Sequence, residues 1–462
     1  MIKFMIQNQR GAALFTVLVL LALMSLVLAG ILIFDLSRTK LINNNKDLLQ
    51  ARYNAEAGVY TLLDSLSRFP NLPEGNSSIV LPWGDKCDLS FDYYGGFIRV
   101  YSTGYAKRKQ LTICVYAGQV MPQGFDSALI WAEDKMPLTF AGNTIINGDI
   151  VTGKYGTQIR PFQGTKFTGA INGKIVKMDD PKLPKFSSTV YSRTIRKYNG
   201  LLQKKPQYCF SVRNNIFPLE DQVGSPDKEI VLYSDESLSF DESSPRYSKS
   251  IIVISRGMIS LSGDYEYPEN SIFISRNGIS VSGTVRGSNG ILYSPKYVSI
   301  KDKASISAQA IAGDSIVVMN QVRLEYPSVL YLDNRDSMEH NPKMIAVRDS
   351  SQVNGSVIYN SISRDTNVAN NNHTIEIDRD AVVTGLVFSL NSVVLHGSVY
   401  GTVMTQAFFD YYYPVTYSNW LVSSMIDVSK RNKEFLLPLS FETNPLYKVL
   451  TYHEVQSTYH SR

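Results

Sequence analysis

The apolar positions change period along the chain. Ala12 to Phe34 is an unbroken run of 23 uncharged, mostly apolar residues. A helix of that length, at about 1.5 Å per residue, reaches roughly 34 Å and can cross a bilayer. Beyond it, Leu41, Leu48, Ala55 and Leu62 recur every seven residues, and Leu49, Val59, Leu63 and Leu66 widen the stripe to a helix face. One helix is predicted over about 12–67, apolar all round and then amphipathic, stopped by Pro70 and Pro73. Over 76–118 the pattern shortens to strands ("SSIVLPW", "CDLSFDYY", "GFIRVYSTGYA", "KQLTICVYAG"), with turn signals at Gly84-Asp85 and Gly95-Gly96. A small antiparallel sheet packed on the amphipathic half of the helix is expected.

From about residue 125 brief strands are punctuated by Gly. "SIIVISRGMISLSG" (250–263) matches "NSIFISRNGISVSG" (270–283) at an offset of twenty, and "GILYSPKYVSIKD" (290–302) continues with a one-residue slip. Looser turns follow as far as "NSVVLHGSVYGTVM". A twenty-residue period with two or three short strands per unit predicts a single-stranded β-helix, with Ile, Val and Leu inside and Ser, Thr and Arg outside. A β-sandwich is the alternative, and it does not need that register. The run "GSVYGTVMTQAFFDYYYPVTYSNW" reads as a last coil entering an aromatic cap, which an open strand edge requires.

Length and charge change this picture little. The 462 residues suit two or three structural units, and a net charge of +5 excludes a highly charged disordered tail. The three cysteines, Cys87, Cys114 and Cys209, form no CxxC or Cys/His cluster, so no zinc site is expected. Cys87 and Cys114 fall on strands expected to be neighbours and could bridge outside the cytoplasm. Lys3 and Arg10 precede the apolar run, which keeps the N-terminus inside and places the bulk of the chain in the periplasm or outside the cell. A removable secretory signal is the weaker reading, because the run is long and continues past Ala29-Gly30.

The short basic leader ending at Gly11, the retained apolar helix and its amphipathic continuation resemble the type IV pilin and pseudopilin class III signal. "QRGAALFTVLVLLAL" and "QARYNAEAGVYTLL" are similar to the pattern of large minor pilins and minor pseudopilins. The resemblance covers roughly residues 7–66. It implies cleavage between Gly11 and Ala12 by a prepilin peptidase, N-methylation of Ala12, and other pilin-like subunits as partners. The family's usual glutamate at the fifth mature position is Thr16 here, which cannot form the ion pair a shaft subunit makes with its neighbour. Thr16 is thus the expected filament-contact position, in a minor rather than a shaft subunit. The GxVxGxV rhythm of the later repeats resembles bactofilins and other β-helices, and its union with a pilin-like start resembles large Bacteroidetes envelope proteins.

Residues 181–219 hold no acid and eight bases: Lys182, Lys185, Arg193, Arg196, Lys197, Lys204, Lys205 and Arg213, with Tyr191, Tyr198, Tyr208 and Phe210 interleaved. Two readings stay open. One is a contact for a polyanion such as lipopolysaccharide or acidic glycan, with nucleic acid disfavoured; the other is a solvated insertion balanced by nearby acids. The histidines, His340, His373, His396, His453 and His460, lack metal spacing and read as surface or edge residues. Asp264, Glu266 and Glu269 share a loop but lack a recurring calcium pattern. Phe408, Phe409, Tyr411, Tyr412, Tyr413 and Trp420 read as core closure, with sugar stacking as the alternative. No set of clustered acids of the kind glycosidases need can be assigned, so no catalytic residue and no cofactor is expected.

The expected fold is α+β. It comprises a leader (1–11), a membrane span (12–34), an amphipathic continuation (35–68) and a small antiparallel domain (69–120). First β-helix coils (121–180), a basic insertion (181–225), the main β-helix (226–410) and a C-terminal cap and tail (411–462) follow. The expected function is non-enzymatic: a minor pilin-like subunit in the cytoplasmic membrane, displaying a β-helix for assembly, tip or adhesion roles. A plain single-span adhesin or scaffold and a β-helix carbohydrate-active enzyme are the alternatives.

Overall fold

A computed structural model gives the structure. It describes the chain except residues 1, 70–73, 108, 123, 134, 224–228, 335–342, 362–372, 413–414, 440, 442–444 and 456–462, and the side chains of 2–12, 334, 361 and 373. The chain divides into two compact units, one of residues 1–92, 99–116 and 451–462, the other of 93–98 and 117–450.

The first unit is built on a helix, α1, Ile2–Arg68. Pro70 and Pro73, expected to end it, lie outside the described residues. Its apolar stripe divides in two. Ala51, Ala55, Val59, Leu62, Leu63 and Leu66 are buried, whereas Leu41, Ile42, Leu48 and Leu49 are exposed. Full burial of each larger aliphatic contributes about 1.5–3 kcal/mol. The buried half meets an antiparallel sheet ordered Gly75–Val80, Lys86–Tyr94, Phe97–Ala106, Lys109–Val120. Small residues allow close approach: a Cβ on Gly104 would lie 2.1 Å from the Ala51 carbonyl oxygen, and one on Gly58 2.3 Å from Cys87 Sγ. Asn54, fully buried on α1, donates to Asp85 Oδ2 (2.8 Å) and the Tyr105 carbonyl (2.6 Å) and accepts from Trp83 Nε1 (2.9 Å) and Gln50 Nε2 (3.0 Å). A buried amide satisfied on both ends fixes the rotation of the helix over the sheet.

The expected cysteine bridge is corrected. Cys87 and Cys114 are free thiols, and the strand Phe97–Ala106 lies between theirs. Two strand spacings are about 9.6 Å, beyond the reach of a disulfide. Cys87 lies 3.1 Å from Ser102 Oγ, and that hydroxyl is 2.7 Å from the Ala55 carbonyl, which accepts from it. Burial pushes both thiols up, Cys114 to about 11.

The second unit holds a large sheet that is parallel throughout its main ladders. Strand Ile251–Ser255 pairs Ile230–Ser234 on one side and Ile272–Ser275 on the other, while Ile259–Leu261 pairs Leu238–Phe240 and Ile279–Val281. The twenty-residue offset of the sequence is this register: Ile252 faces Ile272, Ile254 faces Ile274 and Ile259 faces Ile279. The next step is nineteen residues, Ile272 to Ile291, which is the one-residue slip. Like stacks on like. Leu232, Val253, Phe273, Leu292, Ala310, Leu330, Val357, Val387 and Val403 form one interior ladder of the continuous apolar core. Buried serines close the turns: Ser255 Oγ donates to the Glu236 carbonyl and Ser275 Oγ to those of Gly257 and Gly278.

Stacking order and chain order differ. The strand Leu129–Trp131 pairs Val403–Thr405, and Ile145–Asn147 pairs Met425–Asp427. Trp420–Val422 pairs Thr139–Ala141. The strands expected to open the stack therefore close it, beyond the strand Ser398–Tyr412. Residues 420–427, expected in a terminal cap, are rungs between the chain's late and early strands. Among the described residues the stack ends in Thr157–Ile159, Ala170–Asn172 and Ile175–Lys177 on this side and in Phe210–Ser211 on the other.

Candidate functional site

Two surfaces carry the residues of interest. The first is the apolar part of α1. Every residue from Ala13 to Leu36 is exposed, including Leu14, Phe15, Leu26, Ile33 and Phe34. Among the described residues this is one helix long and apolar enough to cross a membrane. Thr16 lies exposed within it. Gly11 and Ala12, the expected processing residues, lie outside the described side chains.

The second surface is the basic segment. It forms a helix, α2, Thr189–Gln203, that buries Tyr191, Thr194, Tyr198 and Leu202. Tyr191 stacks on Tyr331 with ring centroids 3.7 Å apart, and Tyr198 lies 5.4 Å from Tyr293. Tyr293 and Tyr331 belong to an outward ladder (Tyr233, Ile254, Ile274, Tyr293, Ile311, Tyr331, Ile358, Phe388), so this sheet is apolar on both faces and α2 covers part of the outer one. Tyr191 and Tyr198 are thus packing residues, not ligand-stacking ones. The helical spacing of Tyr191, Thr194, Tyr198 and Leu202 was the signal for this, and treating the segment as an insertion with interleaved aromatics passed over it.

The cations scatter. Lys182 pairs Asp180 at 2.8 Å, Arg193 lies 5.4 Å over the Tyr93 ring, and Lys205 donates to Ser211 Oγ and lies over Tyr233. Lys185, Arg196, Lys197, Lys204 and Arg213 are exposed. Arg256, which the sequence did not single out, donates to the Leu202 and Gln203 carbonyls at the C-terminal end of α2 and pairs Asp235 at 3.2 Å. A guanidinium there satisfies carbonyls that the helix leaves open.

Of the histidines, His396 is the informative one. Its Nε2 lies 3.1 Å from the Asp410 Oδ1, on a carboxylate only 6% exposed. The hydrogen bond to Asp410 raises His396 above its ordinary range; burial opposes this, and the charges of Asp410, Asp378 and Glu376 add to it. Arg348 pairs Glu376 beside it. His340, His460 and Tyr413 lie outside the described residues, as does the side chain of His373. The loop acids do not converge: Asp264 pairs Arg286 at 3.6 Å, and among the described residues no three His, Cys, Asp or Glu side chains sit where a metal ion could be held. Phe408 is core, whereas Tyr411 and Tyr412 are exposed. Trp420, Tyr417 and Tyr412 gather edge-on and tilted around Phe162, with Phe162–Tyr417 centroids 4.8 Å apart.

No protein-family model matches the chain. No curated protein matches it. Among solved structures, the competence-associated pilin ComZ from Thermus thermophilus is similar at 10% identity with a TM-score of 0.22, covering 88% of this chain and 97% of that one.

Proposed function

We propose that this chain is a non-enzymatic, pilin-like minor subunit, held in the cytoplasmic membrane by α1 with its bulk outside, and that its parallel ladders are the coils of a β-helix head. The continuity of α1 carries the reading. One helix is apolar and exposed to Leu36, then docks through Ala51, Ala55 and Val59 on a small antiparallel sheet. A leader ending at Gly11, before rather than after the apolar run, supports processing that keeps the span. Regular steps of about twenty residues between paired strands support the β-helix. Thr16 in place of the usual carboxylate supports a minor position in a filament with other pilin-like subunits.

The test is mass spectrometry of the mature N-terminus from the membrane fraction. A methylated peptide beginning at Ala12 is expected. An intact Met1 start would leave a plain anchored scaffold, and a start beyond Gly30 would make the chain a secreted protein. Deletion of residues 1–34 should release the protein from the membrane and from any filament.

A further inference from the structure

Among the described residues no further strand is registered with Ala170–Asn172 or Ile175–Lys177, and the parallel sheet ends there on an open edge. Ile175–Lys177 is registered with Ile150–Thr152 on one side, and Ala170–Asn172 with Ile145–Asn147. Ile150 N–H donates to the Lys174 carbonyl at 2.8 Å and Met178 N–H to the Thr152 carbonyl at 2.9 Å. The alternation of a parallel ladder then turns the backbone groups of Ile175 and Lys177 outward. Apolar side chains are exposed along this end: Ile159 at 56%, Ile175 at 41%, Val176 at 44% and Met178 at 47%. Residues 149–180 carry five cations, Lys154, Arg160, Lys166, Lys174 and Lys177, against three acids, Asp149, Asp179 and Asp180, a net excess of two positive charges, with Asp149 Oδ1 accepting from Lys174 N–H at 2.8 Å. All five are exposed.

We propose that this edge is a docking site for an acidic, extended segment of a partner protein, added as one more strand beside Ile175–Lys177. Unpaired backbone groups supply the hydrogen bonds of strand addition, and alternate side chains supply selectivity. The charge selects the occupant. Lysines on an edge repel a second basic edge, which disfavours pairing this end with the same end of another copy. The same field draws in a strand that carries carboxylates.

The test uses the full chain in detergent micelles at low ionic strength, with amide hydrogen exchange as the readout. The probe is a synthetic eight-residue peptide of alternating Val and Glu, and the comparison is its Val/Lys counterpart. Exchange at residues 170–178 should slow about tenfold with the Val/Glu peptide, with little change for the Val/Lys one. The effect should vanish in Ile175→Pro, which removes an outward donor, and should reverse its peptide preference in the Lys174→Glu/Lys177→Glu variant, whose backbone is untouched. No slowing, or equal slowing by both peptides, overturns the proposal. Concentration-dependent protection without peptide also overturns it, assigning the edge to a second copy.

Discussion

A methyl group separates Gly104 and Gly200 from alanine, and it acts in opposite directions at the two sites. At Gly104 the added carbon would lie 2.1 Å from the Ala51 carbonyl oxygen and 2.4 Å from the Ala55 nitrogen, both backbone atoms of a helix that cannot yield locally. Gly104→Ala should cost about 1–3 kcal/mol or more. At Gly200, inside α2, nothing lies within 4 Å, so Gly200→Ala should gain about 0.5–1 kcal/mol from reduced unfolded-state entropy. Chemical denaturation of the two variants in micelles separates them, and equal shifts would contradict the packing described. His396 makes a third residue-scale prediction. Its acidity is weakened in the folded state, first by the hydrogen bond to Asp410, so its stabilisation is complete below the unfolded value and fades as pH rises through the folded one. The Tm advantage of the native chain over His396→Gln should therefore be full below the ordinary imidazole value of about 6.5 and shrink as the pH rises above it. A pH-independent difference would show that the imidazole only fills space.

At the scale of elements, α2 depends on what its two faces touch. Its inner face is held by Tyr191 on Tyr331 and Tyr198 on Tyr293, and its C-terminal carbonyls by Arg256. Arg256→Met keeps the aliphatic stem and removes the donors, at about 0.3–1 kcal/mol. It should quicken amide exchange in the last turn of α2 while leaving the strand Ile272–Ser275 unchanged; unchanged exchange in residues 200–203 would refute the cap. How legible each element was follows from its period. The ladder through Ile252 and Ile272 was readable because in-register parallel stacking puts equivalent residues at one repeat, so packing is written into the sequence as similarity. The amphipathic half of α1 was readable through its stripe, but the stripe does not say that Leu41 and Leu48 stay exposed while Ala55 and Leu62 are buried. The rank of the strand between Cys87 and Cys114 was hidden as well, since strand order is a long-range property and cysteine spacing is not.

The whole molecule adds the one relation that no local pattern carries, the return of residues 125–152 to the far end of the stack. Leu129 meets Val403 as one apolar residue on another, a match that many positions would satisfy equally. The join is made specific by polar contacts: Thr402 Oγ1 donates to the Phe125 carbonyl 277 residues away, and Arg431 donates to the same carbonyl and to Thr402. Closing a loop of that length costs about 5 kcal/mol in chain entropy, which the three pairings Leu129–Trp131 with Val403–Thr405, Thr139–Ala141 with Trp420–Val422, and Ile145–Asn147 with Met425–Asp427 must offset together. Two of those three lie beyond residue 412. A chain ending there keeps one rung and loses Arg431, and it should leave the closure uncompensated. Amides of residues 138–152 should then exchange as fast as in the unfolded chain, while those of 251–300, whose partners are all nearby in sequence, stay protected. Retained protection at 138–152 would mean that the early strands hold their place without the C-terminal rungs, and the order of stacking would no longer account for the fold.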